Sequence, residues 1–209
     1  MTRAILLDYD GTLVSFDREA AFRAALDALG VKAGALAPRL AAEDRRRAGR
    51  GDHARAALFA SHFPDVDPEH AKAAFWHGVM ASTRPNPGAR TLIDHCRGHG
   101  LGLGLLTDWD GAPGLKARRL AADDLVRAFD AVVIAGETVL ERKPDPAPFI
   151  NLCTRLGVAA RDAVMVGDKV EIDLEPARAL GMTAIWFRGE YTGVWSPAIT
   201  DLEEVIALL

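Results

Sequence analysis

A doubly wound α/β fold built on a parallel sheet is predicted by three features of the sequence. Five short apolar runs, at 4–7, 101–106, 131–135, 163–166 and 183–187, each stop at a polar residue or a turn. Segments of helical character separate the later runs. The stretch after the first run shows helical spacing and no strand-like pattern at all. Continuous apolar runs suit strands covered on both faces, and strands alternating with helices imply βαβ units around one parallel sheet.

Each element follows in order. The first strand is Ala4-Ile5-Leu6-Leu7, which runs directly into Asp8. Between residues 15 and 84, Phe22, Leu26 and Leu29 fall at i, i+4 and i+7, and Phe75 and Val79 at i and i+4. Asp67-Pro68 reads as an N-cap followed by proline at the first helical position. Pro85-Asn86-Pro87-Gly88 closes this helical insert. Helices are then expected over 88–97, 114–120, 149–156 and 174–180, between the remaining strands. The predicted architecture is a Rossmann-like doubly wound parallel sheet core, residues 1–14 and 85–209, with a helical cap domain, residues 15–84, inserted after the first strand.

Composition bounds the function. The chain has 209 residues, 49% hydrophobic and 26% charged, enough for one full core and a second small one. A formal net charge of −4 disfavours both disorder and binding to nucleic acid through bulk charge. Cys96 and Cys153 are too few for a stapled secreted scaffold and lack the spacing of a zinc site, so a reducing, cytoplasmic compartment is expected. No apolar run approaches the roughly 18 residues of a membrane span, and the run before Asp8 is too short for a signal sequence. A membrane partner is not expected; a monomer or a homodimer fits equally well.

Polar residues gather where strands end. Asp8-Tyr9-Asp10-Gly11-Thr12 places two carboxylates two apart, on one side of an extended segment, at the sheet edge where open α/β proteins bind ligands. A calcium loop is excluded by spacing: counted from Asp8, Leu13 stands where that loop needs its glycine. Thr107-Asp108 follows the second strand. Lys143 follows the third, with Pro144 biasing it towards extended geometry and Asp145-Pro146 opening the next helix. Gly167-Asp168 follows the fourth, with Asp173 near a helix start.

In this order the four stations resemble the haloacid dehalogenase superfamily, in its subfamily with a small helical (C1-type) cap, over nearly the whole chain. The resemblance implies a phosphatase acting on a small phosphorylated metabolite through an aspartyl phosphate. Asp8 suits the nucleophile, since a carboxylate can attack phosphorus and split one displacement into two. Asp10 suits the acid and base that serve the leaving alcohol and the attacking water. Four clustered aspartates would repel one another without a cation, and a hard divalent ion bound through oxygen, Mg2+, is expected. Family precedent implies that Asp8, the backbone carbonyl of Asp10 and Asp168 touch the metal, with Asp173, the fourth residue of the metal site, one shell out. It also implies that Lys143 neutralises phosphoryl oxygens and that Thr107 donates a hydrogen bond to one. Asp108 falls in this phosphate-binding segment, where an extra carboxylate either repels substrate or points outward.

Two departures accompany the match. Asp108-Trp109-Asp110-Gly111 stands where many relatives have Asn-Gly, and Lys169 stands where a small polar residue is commoner. Lys169 is expected to pair with Asp173 or Glu171. Arg45, Arg46, Arg47 and Arg50 read as a solvated helix face. A phosphomutase uses the same four motifs and remains an alternative. A 2-haloacid dehalogenase is disfavoured by Asp10, which has no leaving alcohol to protonate there. A phospho-receiver signalling domain is disfavoured because Asp168 and Asp173 lie beyond the lysine.

Overall fold

The computed structural model describes residues 1–48 and 55–209; Arg50 lies outside the described residues. The chain divides into two compact units, Met1–Ser15 with Pro85–Leu209, and Phe16–Arg84. The elements in chain order are β1 (Ala4–Leu7), β2 (Val14–Ser15), α1 (Arg18–Ala28), α2 (Leu36–Ala48), α3 (Arg55–His62), α4 (Pro68–Ser82), β3 (Arg84–Pro85), α5 (Ala89–Gly98), β4 (Gly102–Asp108), α6 (Leu115–Ala121), β5 (Ala131–Ala135), α7 (Pro146–Leu156), β6 (Ala163–Gly167), α8 (Glu175–Ala179), β7 (Thr183–Phe187) and β8 (Ala198–Ile199).

The first unit holds a sheet that, among the described residues, has six strands in the order β5-β4-β1-β6-β7-β8, every neighbouring pair parallel. This is the doubly wound arrangement expected. Alternate residues of β1 face opposite sides: Ile5 and Leu7 join Leu92, Ile93, Leu202 and Val205 in one core, while Ala4 and Leu6 join Phe149, Leu152, Leu174 and Ala177 in the other. Both faces are covered, which is why the strand is apolar throughout. A fully buried Leu or Ile contributes about 1.5–3 kcal/mol, so β1 is anchored firmly enough to end in a buried charge. Since β1 lies between β4 and β6 and all three run parallel, Asp8, Thr107 and Asp168 emerge on one sheet edge.

Boundaries differ from expectation at three places. β4 extends through Thr107 and Asp108 because these residues pair in register with Ile134 and Ala135. α7 starts three residues before the helical spacing that begins at 149, at Pro146, the opening that Asp145-Pro146 predicts, and Asp145 accepts from the Ala147 N–H at 2.8 Å. β8 is only two residues long and has no apolar run to announce it.

The second unit is helical. Asp17 caps α1 by accepting from the Ala20 N–H, and Asp67 caps α4 by accepting from Glu69, with Pro68 opening the helix as expected. Its core centres on the rings of Phe22, Phe59 and Phe75, whose centroids lie 4.7–6.5 Å apart. Asp44 is buried between Arg18 and Arg55. Arg45 and Arg46 are exposed, whereas Arg47 pairs with Glu43 at 2.8 Å. No helix among the described residues is long and apolar enough to cross a membrane.

Candidate active site

At the end of β1 the Asp8 N–H still donates to Val166 O at 3.0 Å, so the sheet fixes its backbone. The chain then turns tightly: Gly11 N–H donates to Val14 O at 2.7 Å and Val14 N–H to Tyr9 O at 3.0 Å. Gly11 has φ +95°, and a Cβ there would lie 1.9 Å from Asp168 Oδ2, so only glycine lets this loop approach the end of β6. Asn86 fastens the loop by donating from Nδ2 to Thr12 O at 2.8 Å and from its N–H to Leu13 O at 3.0 Å.

Three carboxylates converge here. One oxygen from each of Asp8, Asp168 and Asp173 lies within 4.8 Å of the others, and all three residues are buried. Asp173 is carried by a single π-helical turn, Val170–Leu174, and a Cβ on Gly167 would stand 2.4 Å from Asp173 Cβ. Lys143 Nζ bridges the group, donating to Asp8 Oδ1 at 2.8 Å and Asp173 Oδ1 at 2.7 Å. Trp186 Nε1 donates to Asp168 O at 3.0 Å. Lys169 differs from expectation: its Nζ reaches Asp168 Oδ1 at 3.2 Å, and its backbone N–H, not its ammonium, serves Asp173 Oδ2 at 3.0 Å. The π turn brings Asp173 back over the Lys169 N–H, leaving the side chain directed at its sequence neighbour.

Burial raises the Asp8 carboxyl above its ordinary value against the pull of Lys143, and burial pushes Asp168 up to about 7 against Lys169. Burial works against the Lys143 charge too, yet Asp173 and Asp8 outweigh it and hold the ammonium above the ordinary lysine range. Asp8 Oδ2 and Asp168 Oδ2 are buried without a hydrogen-bond partner among the described residues. An all-oxygen donor set with two orphaned carboxylate oxygens fits a hard divalent cation.

That geometry yields a pH prediction. In the metal-free fold Asp168 keeps its proton up to about 7, whereas an unfolded Asp releases it near ~3.9. The folded state therefore binds more protons across that window, and metal-free stability falls as pH rises through it. Cation binding needs the ionised form, so stabilisation by added magnesium grows over the same range. Melting curves with chelator or with magnesium, from about pH 5 to about 8, are expected to diverge as pH rises; a magnesium shift equal at both ends would contradict this.

Other predicted residues lie differently. Thr107 is buried at the end of β4, with Oγ1 3.4 Å from Asp108 O. Asp108 Oδ1 accepts from the Lys143 N–H at 3.2 Å, so this carboxylate braces the lysine loop. The Asp10 carboxylate is not part of the three-aspartate group. Arg119 donates to its Oδ1 at 2.5 Å and its Oδ2 at 3.0 Å, and Lys116 Nζ donates to Oδ2. Both cations also bind the buried Asp110, each at 2.8 Å. Burial opposes ionisation of Asp10, but Arg119 and Lys116 outweigh it and hold the carboxyl well below its usual range. Beneath them lies the Tyr9 ring, whose hydroxyl donates to Asp123 at 2.8 Å. Lys116, Arg119, Asp110 and Asn86 were not singled out by the motifs. The Asp110 departure from the usual Asn-Gly was the one available signal.

Known proteins resemble this chain in sequence and fold. A family described as haloacid dehalogenase-like hydrolase matches residues 2–181. The phosphoglycolate phosphatase of Rhodospirillum rubrum is 33% identical over a 207-residue alignment covering 88% of this chain and 79% of that protein. The phosphoserine phosphatase of Thermus thermophilus is 38% identical over 100 residues, 48% of this chain; the match spans only 39% of that relative's length. The crystal structure of a HAD phosphatase from Thermococcus onnurineus has a TM-score of 0.70 at 25% identity, covering 100% of this chain and 97% of that one. By its matched length, its sheet order and its strand-end aspartates, the chain belongs to the haloacid dehalogenase-like hydrolase family.

Proposed function

We propose that the protein is a magnesium-dependent phosphatase that hydrolyses a small phosphomonoester through an aspartyl phosphate on Asp8. The observation that carries this reading is the buried Asp8, Asp168 and Asp173 group bridged by Lys143, with one oxygen of Asp8 and one of Asp168 unpartnered among the described residues. Asp8, Asp168, Asp173 and the Asp10 carbonyl would hold magnesium, which when bound offsets the charge developing on the phosphoryl oxygens.

The residues divide the work. Asp8 attacks phosphorus as the ester P–O bond breaks, and Asp10 gives the leaving alkoxide its proton. Asp10 then takes a proton from the water that attacks the aspartyl phosphate; phosphate departs and Asp8 is regenerated. Lys143 neutralises phosphoryl oxygens while Thr107 donates a hydrogen bond to one. Enzymes accelerate monoester hydrolysis by up to about 10²¹, and one acid or base supplies only about 10² to 10⁴ of that. Fixed positive charge therefore matters as much as the nucleophile, which makes the doubly anchored Lys143 central. Asp10 accepts from Lys116 and Arg119 in the present conformation, so proton donation requires it to exchange those partners first.

The names of the relatives support phosphate esters of small acids as substrates, and the second unit, Phe16–Arg84, is proposed to select the leaving group. The two buried free thiols, Cys96 and Cys153, suit a cytoplasmic setting. The test is turnover of p-nitrophenyl phosphate, phosphoglycolate and phosphoserine with magnesium and with chelator. Release of inorganic phosphate that stops on chelation is expected. Turnover indifferent to chelation, or phosphorylation that stops after one equivalent, would overturn the reading.

A further inference from the structure

We propose that Lys169 sets the metal affinity of this site: its ammonium offsets one carboxylate, keeping divalent-cation binding weaker than the aspartates alone would make it and holding the group together when the metal is absent. The inference rests on the metal reading given above.

The three carboxylates are opposed by two ammonium groups, and the two differ in how they are held. Lys143 is 2% exposed and donates to two carboxylates, at 2.8 and 2.7 Å, so it is tied to Asp8 and Asp173 together. Lys169 is 13% exposed and approaches a single carboxylate, Asp168, at the longer distance of 3.2 Å. It approaches Oδ1, while Oδ2 of the same group stays buried and without a hydrogen-bond partner among the described residues. A cation can therefore be received at Asp168 while Lys169 remains alongside.

A second contact fixes where that charge stays. The Lys169 Nζ lies 4.6 Å from the centroid of the Tyr191 ring, whose face attracts an ammonium. The charge thus has a seat beside Asp168 and does not disperse into solvent. An ammonium held a few ångströms from a bound dication repels it, and in a buried site that repulsion is poorly screened. The same ammonium relieves the mutual repulsion of Asp8, Asp168 and Asp173 in the metal-free protein. Its backbone N–H, which serves Asp173 Oδ2, is unaffected by changing the side chain, so charge can be removed while this support remains.

Isothermal titration with magnesium, in one buffer at one pH for every variant, separates the contributions. Lys169→Gln is expected to bind magnesium about tenfold more tightly than the wild type, and Lys169→Arg, which keeps the charge, within about threefold of it. The metal-free Lys169→Gln protein is expected to melt below the metal-free wild type, and the arginine variant to melt with the wild type. Should the glutamine variant unfold without metal, both proteins can be kept in manganese throughout, with the free ion read by electron paramagnetic resonance on dilution; the same order of affinities is expected. Magnesium affinity unchanged or weakened in Lys169→Gln would overturn the proposal. So would a raised KM for the phosphate ester at unaltered metal affinity, which would assign the ammonium to substrate. If the wild type itself binds no magnesium, the metal reading fails and this inference falls with it; if the wild type binds and the variant matches it, only the role of Lys169 fails.

Discussion

Asp8→Asn is expected to cut turnover by roughly 10⁴-fold or more while leaving the fold intact. Asparagine has the volume of aspartate, and its amide oxygen can accept from Lys143 Nζ where Asp8 Oδ1 does so at 2.8 Å. It lacks the anionic oxygen that attacks phosphorus. The charge it removes is one that burial already disfavours and that Asp173 repels, so the metal-free variant should melt no lower than the wild type. Two measurements on the same preparations check this: steady-state phosphate release, and label retained on protein after rapid acid quench with a radiolabelled ester. Label on the wild type and none on the variant is expected. Turnover by Asp8→Asn at the wild-type rate would remove Asp8 from the reaction.

The sheet was legible because its strands are buried on both faces. Ala4–Leu7 and Ala131–Ala135 are apolar at every position, and such runs need no periodicity to be noticed. Val14–Ser15, Arg84–Pro85 and Ala198–Ile199 are too short to carry a pattern, and they became strands only through their neighbours. Strand-end carboxylates could be read for a similar reason: Asp8 follows its apolar run directly, and Asp168 follows its run after a single glycine. Lys116 and Arg119 could not, because they meet Asp10 across more than a hundred residues and in sequence resemble ordinary helix-surface cations. Asn86 was hidden by its setting, a Pro-Asn-Pro-Gly stretch whose turn chemistry accounts for the residue without its bonds to the Asp8–Val14 loop. The partner of the Lys169 ammonium was misjudged because helical spacing brings Asp173, four residues on, alongside it, whereas a π turn stands where an α-helical start was expected.

Arg119→Met is expected to cost about 3–5 kcal/mol of stability, the largest loss from removing any single charge in the Asp10, Asp110, Lys116 and Arg119 cluster. The four groups balance to zero, and Lys116, Arg119 and Asp110 are each no more than 5% exposed. Without the guanidinium, two carboxylates share one ammonium, and Asp110 Oδ2 and Asp10 Oδ1 lose the Arg119 contacts that hold them now at 2.8 and 2.5 Å. Water cannot replace those bonds at Asp110 as it could at the surface. Arg23 makes the contrast: it pairs with Glu19 at 2.6 Å on an exposed face of α1, with both side chains more than 40% exposed. Arg23→Met should cost less than about 1 kcal/mol. Adding Asp110→Asn to Arg119→Met restores the charge balance, and the pair should be more stable than the arginine variant alone, a coupling that independent sites do not show. Urea unfolding of Arg119→Met, Asp110→Asn, their double variant, Arg23→Met and the wild type measures all of this. A loss below about 1 kcal/mol for Arg119→Met, with no coupling to Asp110→Asn, would mean that solvent reaches the cluster and that these cations do not hold Asp10 in place.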